Sequence, residues 1–246
     1  MTVAATHTLA PDERAALEAL STELQRIFGS RLRSVIAYGM HDPDADDRHS
    51  LALVDGVAFE DLAACIPLVP AWRRRGLAVP LILSRDEFVR SLDVFPLEYG
   101  DIIAHHAVVY GSNLLEGICV SAADLRRACE LQAKSHLIHL REGFLETDGR
   151  PHAVARLISS SVPAFRSLLD NISRLEAGES CDDGAHDDEA IAARAEAQIG
   201  IPAAVVRDVL ATPRVGNSII VEPTALLSRY LGAAERIWHY VDAWRR

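Results

Sequence analysis

Apolar residues recur at three- and four-residue spacing near the start of the chain, where Leu17, Leu20, Leu24, Ile27 and Phe28 share one side of a helix. Pro11 suits the first turn of that helix and Gly29 its end. Two short apolar runs follow, Ser34 to Tyr38 and Leu51 to Val54, and both read as strands separated by an Asp-rich loop with Pro43. Phe59 to Arg75 has helical spacing, broken or kinked by Pro67 and Pro70. Val79 to Leu83 reads as a third strand, and the Ser84/Glu87 spacing predicts a capped helix after it. A short helix over Leu97 to His105 and a fourth strand over Val108 to Tyr110, stopped at Gly111, complete the first half.

From Ser121 onward the strand-like runs disappear. A long helix reaches Thr147, and Pro151 opens another with Val154, Leu157, Ile158, Phe165, Leu168, Leu169 and Ile172 on its apolar face. Pro163 inside it predicts a kink. Gly178 to Glu189 is acidic and poor in large apolar side chains, which predicts a mobile loop. Helices over Asp188 to Ile199, Ala203 to Leu210 and Pro223 to Trp244 end the chain. Strands followed by helices alone predict an α+β domain and then an α-helical bundle.

The first half carries a more specific pattern: a helix, a strand closing on Tyr38-Gly39, a polar loop and then Leu51-Ala52-Leu53-Val54. It resembles the nucleotidyltransferase superfamily of DNA polymerase beta and the aminoglycoside nucleotidyltransferases. Ala71 to Gly76, the run from Val79 to Leu83 and Val108-Val109-Tyr110-Gly111 fit as well, so the resemblance covers about residues 10 to 120. It implies a nucleotidyltransferase-like domain over residues 1–120, with a small mixed sheet and flanking helices, and a helical bundle over 121–246. In that family Gly-Ser after the first strand contacts phosphate. An Asp-x-Asp before the second strand holds magnesium, and a further carboxylate stands on a later strand.

This chain departs from that pattern at each of those positions. Gly39 is kept, but Met40 stands at the family's Ser and offers no hydroxyl. Arg48 and Ser50 stand at the two Asp positions, and no acid lies between Val79 and Ser84. Gly39, Met40, Arg48 and Ser50 therefore outline a degenerate cleft without magnesium or nucleoside triphosphate. One alternative is an active magnesium-dependent nucleotidyltransferase with a relocated metal site in the Asp42 to Asp47 loop, with Asp44, Asp46 and Asp47 as ligands, and another is a structural oligomer component. A loop holds metals less rigidly than a strand end, and Asp and Pro favour turns, so the solvated turn is preferred.

Other candidates read as structural. His136, His139 and Glu142 share one helix face without a motif such as HExxH and are expected on a polar surface. His105-His106 closes a helix, where a cation suits the dipole, and so does Arg73-Arg74-Arg75. Trp238, Tyr240 and Trp244 at helical spacing predict core, or an interface in a homodimer. Arg236 and His239 are too close for an Arg-x4-6-His ribonuclease motif, and Ser159-Ser160-Ser161 has no nucleophile context.

Composition narrows the classes. A net charge of -10 disfavours general nucleic-acid or anionic-membrane binding. Lys134 is the single lysine, the sole candidate for lysine chemistry. Cys65, Cys119, Cys129 and Cys181 form no CxxC pair and predict thiols in a reducing, cytoplasmic setting. No signal peptide or membrane span is expected. The expected partner is a small molecule or a protein.

Overall fold

A computed structural model describes residues 9–39, 47–177, 187–212 and 222–244. The acidic stretch from Gly178 lies outside the described residues up to position 186, and so do Met40, Asp42, Asp44 and Asp46. The chain divides into two compact units, Met1–Ser121 and Ala122–Arg246.

In the first unit, α1 (Pro11–Phe28) runs through a 3-10 turn into β1 (Leu32–Tyr38), and β2 (His49–Val54) pairs with β1 in antiparallel fashion. Helices α2 (Phe59–Cys65) and α3 (Val69–Arg74) lead to β3 (Leu81–Leu83), which pairs parallel to β2. Helices α4 (Arg85–Arg90) and α5 (Pro96–Ala104) precede β4 (His106–Gly111), which lies antiparallel to β1. The sheet order is β3-β2-β1-β4.

Both faces of this small mixed sheet are covered, which is why its strands read as unbroken apolar runs. On one face, Leu17, Leu20 and Leu24 of α1 pack with Val35, Ala37, Ala52, Val54 and Trp72. On the other, Ile36, Leu51 and Leu53 meet Phe88, Tyr99, Ile102 and Leu115. Each such leucine contributes about 1.5–3 kcal/mol relative to an exposed one. Trp72 is fully buried, and its indole N–H donates to Glu23 on α1 at 2.7 Å. Arg75 donates two further bonds to the same carboxylate. These bonds hold the Glu23 carboxyl below its usual range, with Arg75 the largest cause, against an opposing effect of burial. Arg75 thus ties α3 to α1, a more specific role than balancing a helix end.

Several expected boundaries shift. The third strand begins at Leu81, not Val79: Pro80 brings no N–H to a ladder, and Val79 is half exposed. The segment from Phe59 to Arg74 is two short helices joined by a 3-10 turn at Ile66–Leu68, as Pro67 and Pro70 impose. The helix before β4 stops at Ala104. His105 and His106 are buried, and the His105 ring lies 3.0 Å from Asp101, so neither is an exposed cation on a helix end.

In the second unit, α6 (Ala122–Glu146), α7 (Pro151–Ala177) and α10 (Pro223–Ala243) pack on one another, with α8 (Asp188–Ile199) and α9 (Ala203–Leu210) against α7 and α10. The helix α7 continues through Pro163. Leu137, Leu140, Val154, Ile158, Phe165, Leu168, Ile172, Tyr230 and Ile237 are buried here. Two expectations fail. His136 is not on a polar surface: it is buried, with Nε2 2.7 Å from the Tyr230 hydroxyl and its ring stacked on Phe165. On α10, Tyr230, Ile237 and Val241 form the core stripe. Trp238, Tyr240 and Trp244 are only half buried, with Lys134 lying over the Trp238 ring and Glu176 accepting from Tyr240 and Trp244.

Candidate functional site

One end of the sheet gathers the end of β1 and the starts of β2 and β4. Tyr38 pairs with His49 on one side and with His106 on the other, and Ala37 pairs with Ser50. Gly39 leaves β1 with φ +71°, a left-handed conformation that favours glycine. The alternation of β2 sorts its residues. Ala52 and Val54 face α1, so Ser50 and Arg48 share that side, whereas His49 lies with Leu51 and Leu53 on the other.

On the α1 side the arrangement is closed by the chain's own charges. Arg48 Nε donates to Glu13 Oε1 at 2.6 Å, while Glu13 Oε2 accepts from the Ala10 N–H at 3.2 Å and satisfies the first turn of α1. The main chain of Arg48 is held as well: its N–H donates to Gly76 O at 2.8 Å and its carbonyl accepts from Ala78 N–H at 3.0 Å. Ser50 is 1% exposed, and its hydroxyl has no hydrogen-bond partner among the described residues. Asp47 stands next to Arg48, half buried.

On the opposite side, His49, Tyr38 and His106 stand in a row across three strands. The Tyr38 and His49 rings stack with centroids 5.6 Å apart. His106 Nδ1 lies 3.0 Å from the Ile103 carbonyl, and Nε2 lies 3.2 Å from Asn113 Oδ1, which also accepts from Leu115 N–H. Burial pushes the Tyr38 phenol above its usual range, with Tyr99 adding to it. Sequence reasoning missed this row. Its one visible trace was the His105-His106 doublet, and strand pairing alone brings His106 to Tyr38. Among the described residues no group of three or more His, Cys, Asp or Glu side chains is placed to hold a metal.

No family model and no curated protein matches the sequence. Among solved structures the chain is similar to spectinomycin adenyltransferase AAD(9) from Enterococcus faecialis, determined with ATP and spectinomycin. The TM-score is 0.52 at 12% identity, over 91% of this chain and 98% of that one. The fold is that of a nucleotidyltransferase. Helical residues beyond position 121 fall within the similarity as well, since it spans nearly the whole chain.

Arg48 and Ser50 stand at the entry of β2, and β3 carries only Leu81, Ile82 and Leu83. A guanidinium and a hydroxyl do not fit a two-metal centre, which needs several anionic oxygens around the ions. The cation at this place belongs to the protein, and Glu13 is its counter-charge. Among the other candidates, Ser161 donates to Ile158 O at 2.8 Å and lies 3.2 Å from the Tyr230 hydroxyl, a packing role in the bundle. No helix among the described residues is long and apolar enough to cross a membrane.

Proposed function

We propose that this protein uses a nucleotidyltransferase fold without nucleotidyl transfer, and that the cleft outlined by Gly39, Met40, Arg48 and Ser50 binds a ligand or partner. The observation that carries this reading is the Arg48–Glu13 ion pair at 2.6 Å. In this reading a permanently charged guanidinium stands where nucleotidyl transfer would need negative charge for magnesium. The Arg48 guanidinium is tied to Glu13, and its main chain is held by Gly76 and Ala78 at the entry of β2. Ser50 offers a neutral oxygen in place of a carboxylate, and a strand end is the rigid setting such a centre requires.

The occupant in this reading is a small molecule or a protein in a reducing, cytoplasmic setting. Cys65, Cys119 and Cys129 support that setting because they are free thiols. Domain roles follow the same division: residues 1–120 form the degenerate nucleotidyltransferase-like domain, and residues 121–246 form the helical bundle.

The test is calorimetry and turnover with nucleoside triphosphates. Titration with ATP in the presence of magnesium should give no heat beyond dilution, and no triphosphate should be consumed with any acceptor. Weak binding of inorganic anions without magnesium is compatible. Nucleotidyl transfer that disappears in Asp44→Ala or Asp46→Ala would overturn the proposal and assign the metals to the Asp42 to Asp47 loop.

A further inference from the structure

The far end of the same sheet holds a cavity of about 140 Å³ lined by Arg33, Leu53, Val54, Asp55, Arg85 and Leu114. It lies where β1 begins and β2 ends. By the strand rise of about 3.3 Å per residue, that is roughly 17 Å from Tyr38. Leu53 and Val54, both buried, are among the lining residues. Leu114, in the loop after β4, lines one side, and Gly111 at the end of β4 pairs with Ser34 close against the Arg33 main chain. A Cβ on Gly111 would stand 2.1 Å from the Arg33 carbonyl oxygen.

Charge at this cavity is unbalanced in favour of cations. Arg85 donates its Nε to the Leu114 carbonyl at 3.2 Å, which fixes the plane of the guanidinium, and it has no carboxylate partner among the described residues. Arg33 reaches Asp55 at 3.5 Å, a long contact between two side chains that are each more than half exposed. The lining thus carries two guanidinium groups and one carboxylate, in a chain with 35 acidic and 25 basic residues where acids are plentiful. A guanidinium held by one N–H still presents its outer N–H fork, and such forks match the paired oxygens of a tetrahedral oxyanion.

We propose that this cavity is a second site, separate from the degenerate cleft, that takes one phosphate-sized oxyanion. Arg85 and Arg33 supply the donors. Size limits the ligand. A volume of about 150 Å³ accommodates a benzene-sized molecule, so a phosphate group fits within this one while anything larger extends into solvent. The anion is free inorganic phosphate or the phosphoryl end of a larger molecule whose remainder stays in solvent.

The experiment is an amide-resolved NMR titration of the full chain with inorganic phosphate and, in parallel, with glycerol phosphate. Saturable shifts should centre on Arg33, Asp55, Arg85 and Leu114 without magnesium. Tighter binding of glycerol phosphate identifies a phosphomonoester as the source, and equal or weaker binding identifies free phosphate. Arg85→Ala should weaken binding about tenfold or more, the loss of a charged hydrogen bond. Arg33→Ala should act in the same direction. Arg73→Ala, which removes an equal charge elsewhere on the unit, should change it little. The absence of any saturable shift, shifts centred on Gly39 and Arg48, or equal weakening by Arg73→Ala would each overturn the proposal. The wild-type shift map decides even if a cavity variant fails to fold.

Discussion

Acidification should weaken the helical unit through one residue, His136. Its imidazole lies between α6, α7 and α10, stacked on Phe165, with Nε2 2.7 Å from the Tyr230 hydroxyl. Burial pushes its pKa down from 6.5 to about 4, and His139 on the same helix adds to the effect. Burial also pushes the Tyr230 phenol well above its usual range, so that hydroxyl keeps its proton and donates it to a neutral His136. The sign follows from linkage. Above pH 6.5 the ring is neutral in folded and unfolded chains, and its contribution is complete. As the pH falls from 6.5 towards about 4, the unfolded ring takes up a proton that the folded ring refuses, and stability drops. Below that range both forms are protonated and the effect is flat. A difference of some 2.5 units at about 1.4 kcal/mol each amounts to roughly 3 kcal/mol, a large part of a typical domain's stability. Protonation would also turn Nε2 from an acceptor into a donor facing the proton of Tyr230. The assay is urea unfolding between pH 7 and 4, compared with His136→Gln, whose amide can still meet Tyr230 but does not titrate. The wild-type curve should lose about 3 kcal/mol more than the variant over this interval. Parallel curves, or a His136 ring proton titrating near pH 6.5 by NMR, would refute the reasoning.

Other expectations follow from contacts in the first unit. Arg48→Ala should lower stability by about 1 kcal/mol in a thermal shift assay, since it removes a partly exposed ion pair but leaves Glu13 capping α1. An unchanged melting temperature would show that the pair contributes nothing. Asp61 accepts two bonds from Arg31 and one from the Ala58 N–H, and Arg31 is the largest cause of its carboxyl lying at about 2. Its contribution is therefore complete above pH 3.8 and lost as the pH falls through about 2. Asp61→Asn should flatten that part of the acid-unfolding curve. Gly111→Ala combines a φ of +77° with a Cβ placed on the Arg33 carbonyl and should cost about 1–3 kcal/mol or more in urea unfolding. Gly29→Ala has a similar φ but open space around it and should cost less.

Much of the architecture was legible because local pattern and burial agree. Leu17, Leu20 and Leu24 repeat at helical spacing and pack on the sheet, and Ser84 with Glu87 forms the reciprocal cap that its spacing announces. Tyr38-Gly39 followed by an apolar strand was enough to suggest the fold, and the residue types at positions 40, 48 and 50 were enough to question its chemistry. Periodicity could not say which side of a long helix is covered when polar and apolar residues mix. His136 and His139 look alike in the sequence, yet one is buried against Tyr230, 94 residues away, and the other is exposed. The partner of Arg48 was equally hidden, because Glu13 lies 35 residues earlier and only the packing of α1 on the sheet brings them to 2.6 Å. The row of His49, Tyr38 and His106, like the cavity beside Arg33 and Arg85, arises from long-range strand register. Residue types and short-range spacing determine the elements and which side chains stand at the entry of β2. Long-range pairing, which depends on many packing contacts at once, decides which charges meet and where space is left.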